Sequence, residues 1–125
     1  MSFYRKPQRV YLPFEIGNPV IVILAVGWDA SVLDKRCAIL EGSGYFVIKA
    51  YGENDALTAV SFMRPHLVLL CHTVKRSVQD SLAIVLRERQ PALSIIQLTQ
   101  RHMEPEALLT FVKGVLYDDG LSVGI

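Results

Sequence analysis

Uninterrupted apolar runs alternate along this chain with segments of helical periodicity. Residues 20–26 and 67–70 carry only apolar side chains, and residues 45–50 and 93–98 are mostly apolar. Strands without polar alternation are typical of a parallel sheet that is covered on both faces. We therefore predict four strands at these positions, with residues 67–70 as a central strand.

Between these runs, apolar residues recur every three or four positions, and glycine, proline and capping residues mark the ends. The predicted helices cover about residues 29–41, 52–64, 77–89 and 105–113, and Gly114 is expected to end the last one. Strands joined by helices of this length need right-handed crossovers. The pattern therefore predicts a three-layer α/β fold with a parallel sheet and helices on both faces.

The length of 125 residues suits one domain. We predict an N-terminal extension at residues 1–18 and the domain at residues 19–125. Part of the extension is too apolar to remain in water, and we expect it to form an interface with the domain or with a second copy. Its candidate interface residues are Val10, Tyr11, Leu12, Phe14 and Ile16.

Composition limits the possible partners and compartment. A net charge of +1 with scattered cations gives no reason to expect nucleic acid or a membrane surface as a partner. No apolar run approaches the roughly 20 residues that cross a bilayer. Two cysteines, Cys37 and Cys71, do not form a disulfide framework, so we expect reduced thiols in a cytoplasmic protein.

With its elements placed, the chain resembles the receiver domain of two-component response regulators, the family of the chemotaxis receiver. The resemblance covers about residues 20–114. It implies a flavodoxin-like fold with a five-stranded parallel sheet of order 2-1-3-4-5, whose fifth strand we expect at residues 121–125. The segments that carry the resemblance are residues 23–26, 41–47, 52–57, 64–70 and 95–99.

In that family, an acidic pair after strand one and an aspartate that ends strand three bind magnesium, and the aspartate accepts a phosphoryl group. The acidic pair falls here on Gly27 and Trp28, with Asp29 as the neighbouring position. The phosphoacceptor falls on Cys71, and the family's hydroxyl residue after strand four falls on Thr99. Only Thr99 agrees with the family pattern. The resemblance therefore implies a degenerate receiver without a bound metal or other cofactor.

The carboxyl end departs from the family as well. No lysine follows Lys113, so the family's switch lysine has no candidate. Only 11 residues follow Gly114, which is enough for a fifth strand and too few for a fifth helix. We expect one flank of the sheet to be uncovered, and residues 10–16 or a second copy of the chain to cover it.

These departures predict a pseudo-receiver that is not an enzyme and acts as a protein-interaction module in signal transduction, with a protein partner and as a homodimer. Trp28 has two interpretations. It is either a ring that plugs the vacated acidic position or an interface anchor, because tryptophan is enriched at binding hot spots.

Cys71 supports an alternative function, a thiol-dependent, redox-responsive protein on the same scaffold. A thiolate near His72, Lys75 and Arg76 would be reactive. The structural interpretation is that cysteine, a small apolar residue, fills a site that no longer binds phosphate. A phosphatase loop is not predicted, because Arg76 comes one residue too early for that motif.

Two histidines, His72 and His102, follow the third and fourth strands and could meet Cys71 at one edge of the sheet. Their spacing matches no zinc pattern, and a fourth ligand is not evident. We therefore predict no metal site.

Overall fold

The structure, a computed structural model, describes residues 20–118. Its strands are β1 (Val22–Val26), β2 (Phe46–Ala50), β3 (Leu67–Leu70) and β4 (Ser94–Gln97). Its helices are α1 (Ala30–Gly42), α2 (Glu53–Phe62), α3 (Arg76–Arg89) and α4 (Pro105–Asp118), and a short 3-10 helix (Gln100–Met103) precedes α4. The predicted extension at residues 1–18 lies outside the described residues.

The strands form one parallel sheet of order β2-β1-β3-β4. This order confirms the parallel α/β prediction and matches the first four strands that the resemblance implied. The described residues contain four strands and not five, and the fifth strand expected at residues 121–125 lies outside them. All four residues of β3 are buried, as the uninterrupted apolar run predicted.

Alternate strand residues point to opposite faces of the sheet and define two apolar clusters. On one face, Ile23, Ala25, Leu67 and Leu69 pack with apolar residues of α1 and α4. The helix residues of this cluster are Leu33, Cys37, Leu40, Leu108, Val112 and Leu116. On the other face, Leu24, Val26, Val68 and Leu70 pack with α2 and α3, which contribute Ala56, Val60, Leu82, Ala83 and Leu86.

Helix α4 corrects two sequence predictions. It does not end at Gly114 but continues to Asp118. Leu108, Val112 and Leu116 lie on one face of the helix and are buried against the sheet and α1. This packing outweighs the cost of an interior glycine, about 1 kcal/mol relative to alanine.

Because α4 packs on the α1 side, each face of the sheet carries two helices within residues 20–118. Within residues 20–118, α4 thus covers part of the face that was expected to be uncovered, while all four residues of β4 remain partly exposed. None of the helices within the same residues is long and apolar enough to cross a membrane.

The turn between α1 and β2 has a backbone conformation that favours glycine, and substitution tests this requirement. Gly44 has φ of +96°, a conformation that residues with a Cβ adopt only at a cost, whereas Gly42 lies in the last turn of α1. We expect Gly44→Ala to lower the free energy of unfolding by about 1–2 kcal/mol in urea denaturation. The matched control, Gly42→Ala, should leave it unchanged or raise it by up to about 1 kcal/mol. Equal losses in both variants would contradict this account of the turn.

Candidate functional site

The carboxyl ends of β1, β3 and β4 meet at one edge of the sheet, where ligands bind in open α/β folds. We call this the carboxyl-terminal edge. Gly27 follows β1, Cys71 follows β3, and Thr99 lies two residues beyond β4. The structure therefore places the residues singled out from the sequence at the same edge.

Gly27 and Cys71 pack closely together at this edge. A Cβ atom at Gly27 would lie 3.4 Å from the Cβ of Cys71 and 3.3 Å from the Oγ1 of Thr73. Both strand ends are fixed by backbone hydrogen bonds, from Gly27 N to Ala50 O (3.0 Å) and from Cys71 N to Val26 O (2.9 Å). The structure thus leaves little space for a larger side chain at position 27.

Trp28 and Asp29, the two residues after Gly27, make different contacts. The backbone N–H of Trp28 donates to the Oγ1 of Thr73 at 3.2 Å, and the Trp28 residue is 46% exposed. Trp28 is therefore partly exposed and partly buried. Asp29 caps α1, because its carboxylate accepts a hydrogen bond from the Val32 N–H at 3.2 Å.

The side chain of Arg36 links α1 to the ends of β3 and β4. Arg36 is fully buried, and its Nη2 donates to the carbonyl oxygen of Thr99 at 2.9 Å and contacts the Nδ1 of His72 at 3.1 Å. The sequence analysis missed this residue. Its spacing from Leu33 and Leu40, three and four positions away, could have placed it on the buried face of α1.

The buried charge of Arg36 has no carboxylate partner within residues 20–118. Its Nε and Nη1 make no hydrogen bond there, so two nitrogen atoms of a buried cation, with three N–H groups, are unsatisfied. Burying an unpaired charge is costly, and groups near it that are neutral or electron-rich are favoured over cations. The guanidinium therefore adds a buried positive charge to this edge.

The two thiols respond mainly to burial. Burial raises the pKa of Cys71, and the positive charge of Arg36 only partly opposes this rise. Burial likewise raises the pKa of Cys37 to about 12. Both cysteines are free and fully buried. Both are therefore protonated thiols at neutral pH.

His102 connects this edge to α4. Its Nδ1 accepts a hydrogen bond from the Thr99 N–H at 2.9 Å, and its ring stacks on Phe111 with centroids 4.6 Å apart. His72, His102 and Cys71 thus do come to one edge, around Arg36. No group of three or more histidine, cysteine, aspartate or glutamate residues within residues 20–118 is placed to hold a metal ion.

A buried glutamine fixes the loop after β3. The Nε2 of Gln79 donates to the carbonyl oxygens of Cys71 (3.2 Å) and Val74 (2.7 Å). The backbone N–H of Val74 also donates to the Cys71 carbonyl at 3.0 Å. These bonds attach the loop that carries His72 and Thr73 to α3.

Three solved structures with a similar fold are receiver domains. The chain is similar to a CheY-like response regulator receiver domain protein from Methanospirillum hungatei JF-1, with a TM-score of 0.72 and 19% identity over 83% of this chain and 99% of that one. It is similar to the chemotaxis response regulator CheY4 of Vibrio cholerae, with a TM-score of 0.69 and 18% identity over 78% and 100% of the two chains.

A third similar structure is the signal receiver domain of an HD domain-containing protein from Pseudomonas fluorescens Pf-5, with a TM-score of 0.70 and 15% identity over 81% of this chain and 98% of that one. No model of a protein family and no curated protein matches the sequence. The chain thus has the fold of response regulator receiver domains, and identities below 20% extend the likeness to the fold alone.

The burial of both thiols makes alkylation a test of the site. We expect Cys71 and Cys37 of the native chain to react with iodoacetamide at pH 8 more than about tenfold slower than in the unfolded chain, because the thiolate is the nucleophile. Mass spectrometry of the modified peptides measures each rate, and the chain in guanidinium chloride is the control. Rapid modification of native Cys71 alone would contradict the geometry described above.

Proposed function

We propose that this chain is a pseudo-receiver, independent of phosphorylation, that acts as a protein-interaction module in signal transduction. The receiver fold supports the role in signalling. The observation that carries the proposal is the carboxyl-terminal edge itself, where Gly27 and Cys71 pack together and the guanidinium of Arg36 lies buried beside Cys71.

The residues at this edge do not fit the magnesium ion of the family. Magnesium needs hard oxygen ligands in near-octahedral geometry. Gly27 has no side chain, the indole of Trp28 has no acceptor, and the thiol of Cys71 is a soft ligand. A second cation is also repelled by the buried charge of Arg36.

The carboxyl-terminal edge also lacks the carboxylate that phosphoryl transfer requires. An acyl phosphate needs a carboxylate, and Cys71 is a buried thiol. In this proposal the chain is not an enzyme and uses no cofactor.

The thiol-dependent alternative is disfavoured by the burial of Cys71 and by its raised pKa, and alkylation of the native chain distinguishes the two functions.

Two exposed aromatic rings mark the proposed binding surface. Trp28 and Tyr51 are 46% and 45% exposed and follow neighbouring strands, since Val26 pairs with Ala50. The hydroxyl of Tyr51 donates to Asp34 at 3.1 Å, which holds this ring in place. We call these two residues the Trp28–Tyr51 surface. Exposed, positioned aromatic residues are frequent hot spots of protein interfaces.

The proposal includes a homodimer, to which the apolar part of the N-terminal extension contributes. These residues, Val10, Tyr11, Leu12, Phe14 and Ile16, lie outside the described part of the chain.

The first test concerns phosphorylation. We expect the full chain, incubated with acetyl phosphate and magnesium, to show no added phosphoryl group by intact mass spectrometry, because position 71 has no carboxylate and the edge holds no magnesium. A receiver with the family's aspartate, treated in parallel, is the positive control. A stable phosphoryl adduct that disappears in Cys71→Ser would overturn the proposal.

The second test concerns binding. The full chain should be a dimer in light scattering and should retain a specific protein partner from its native host. We expect Trp28→Ala to weaken that binding by about 2 kcal/mol or more, roughly thirtyfold. The matched control is Phe62→Ala, which removes a residue that is 84% exposed at the end of α2. Equal losses in both variants, or a Trp28→Ala variant that binds normally, would exclude the Trp28–Tyr51 surface as the interface.

A further inference from the structure

Two imidazoles at the carboxyl-terminal edge are fixed as hydrogen-bond acceptors. The Nδ1 of His72 lies 3.1 Å from the guanidinium Nη2 of Arg36, and the Nδ1 of His102 lies 2.9 Å from the backbone nitrogen of Thr99. A guanidinium and a backbone N–H can only donate. Both Nδ1 atoms must therefore carry a lone pair, so both rings are neutral with the proton on Nε2.

The charges around the two rings also favour their neutral form. His72 faces the buried Arg36 of α1 and also the Asp29 carboxylate, which alone favours a charged ring. That carboxylate is exposed and engaged as the cap of α1. His102 faces Arg36 and Arg101, while its backbone contact with Thr99 acts in the opposite direction. Desolvation and positive neighbours therefore outweigh the groups that favour protonation.

These contacts join four separate elements. Arg36 ties α1 to the loop after β3 through His72 and to the end of β4 through the Thr99 carbonyl. His102 then ties the end of β4 to α4, through Thr99 and through its stacked contact with Phe111. Losing the acceptor at either ring removes one of these hydrogen bonds.

We propose that Arg36, His72 and His102 form an acid-sensitive latch, which holds the carboxyl-terminal edge closed while both imidazoles are neutral and opens it when they are protonated. Protonation converts each Nδ1 from an acceptor to a donor. The Nδ1–H of His72 then faces the guanidinium of Arg36, and that of His102 faces the Thr99 N–H at 2.9 Å, with the Thr99 Oγ1 at 3.2 Å as its remaining acceptor. Protonation also adds positive charge beside the buried guanidinium. The latch is independent of whether the chain binds a partner.

The expected pH range follows from the direction of the shifts. Desolvation and the charge of Arg36 lower the pKa of His72, and desolvation, Arg36 and Arg101 lower the pKa of His102. The native state then binds fewer protons than the unfolded state. The stabilisation is complete above the ordinary histidine pKa, about 6.5, and is lost as the pH falls from there through the lowered native values.

The experiment compares the full chain with variants that keep an acceptor but do not titrate. The double variant His72→Asn, His102→Asn places an amide oxygen near each Nδ1 position. The matched control is His66→Asn, since the Nδ1 of His66 accepts from the Val22 N–H at 2.9 Å at the opposite edge of the sheet. The Tm of each protein is measured from pH 8 to pH 5.

We expect the wild-type Tm to fall between pH 7 and pH 5 by at least about 5 °C more than that of the double variant. The His66→Asn control should retain this larger fall. Trp28, the single tryptophan of the chain, is bonded to Thr73 next to His72 and reports opening locally. Its emission should shift with acid in the wild type and in the control, and not in the double variant.

The latch is overturned if the double variant loses as much Tm as the wild type, or if Trp28 emission does not change while the Tm falls. If the double variant does not fold, nitrogen-15 NMR of the wild-type imidazoles decides. Nε2–H tautomers that titrate below about 6.5 support the latch, and Nδ1–H tautomers or titration at or above that value overturn it.

Discussion

The carboxyl-terminal edge depends on the buried guanidinium of Arg36. It reaches from α1 across the ends of the sheet to the Thr99 carbonyl and to His72, so one side chain holds together loops that are distant in sequence. A buried cation without a carboxylate partner favours neutral neighbours. The residues around it, a protonated thiol and two neutral imidazoles, satisfy that constraint.

Other contacts at the carboxyl-terminal edge do not involve Arg36. Small residues, Gly27 and Cys71, pack together where the strands end. Gln79 donates to the carbonyl oxygens of the loop after β3, and its own side-chain oxygen, Oε1, has no hydrogen-bond partner in the described part of the chain. Packing and hydrogen bonds fix this edge, and Trp28 and Tyr51, which follow β1 and β2, are partly exposed.

The apolar runs predicted the strands well because a strand buried on both faces needs no polar alternation. The prediction for β3 matches its observed bounds, Leu67–Leu70. The end of α4 was mispredicted because Gly114 is a local stop signal, whereas burial of Leu116 against α1 is a tertiary effect. The periodicity of the apolar residues also did not predict on which side of the sheet α4 packs.

By itself, the sequence determined the parallel α/β fold and brought Gly27, Cys71 and Thr99 to one edge, because periodicity and strand direction are local properties. Only the tertiary structure decided what surrounds them. Arg36 lies 63 positions before Thr99 in the chain, and their hydrogen bond exists only because α1 packs beside the ends of β3 and β4. A charge on an apolar helix face acquires its partners, and its effect on the nearby pKa values, when the layers assemble.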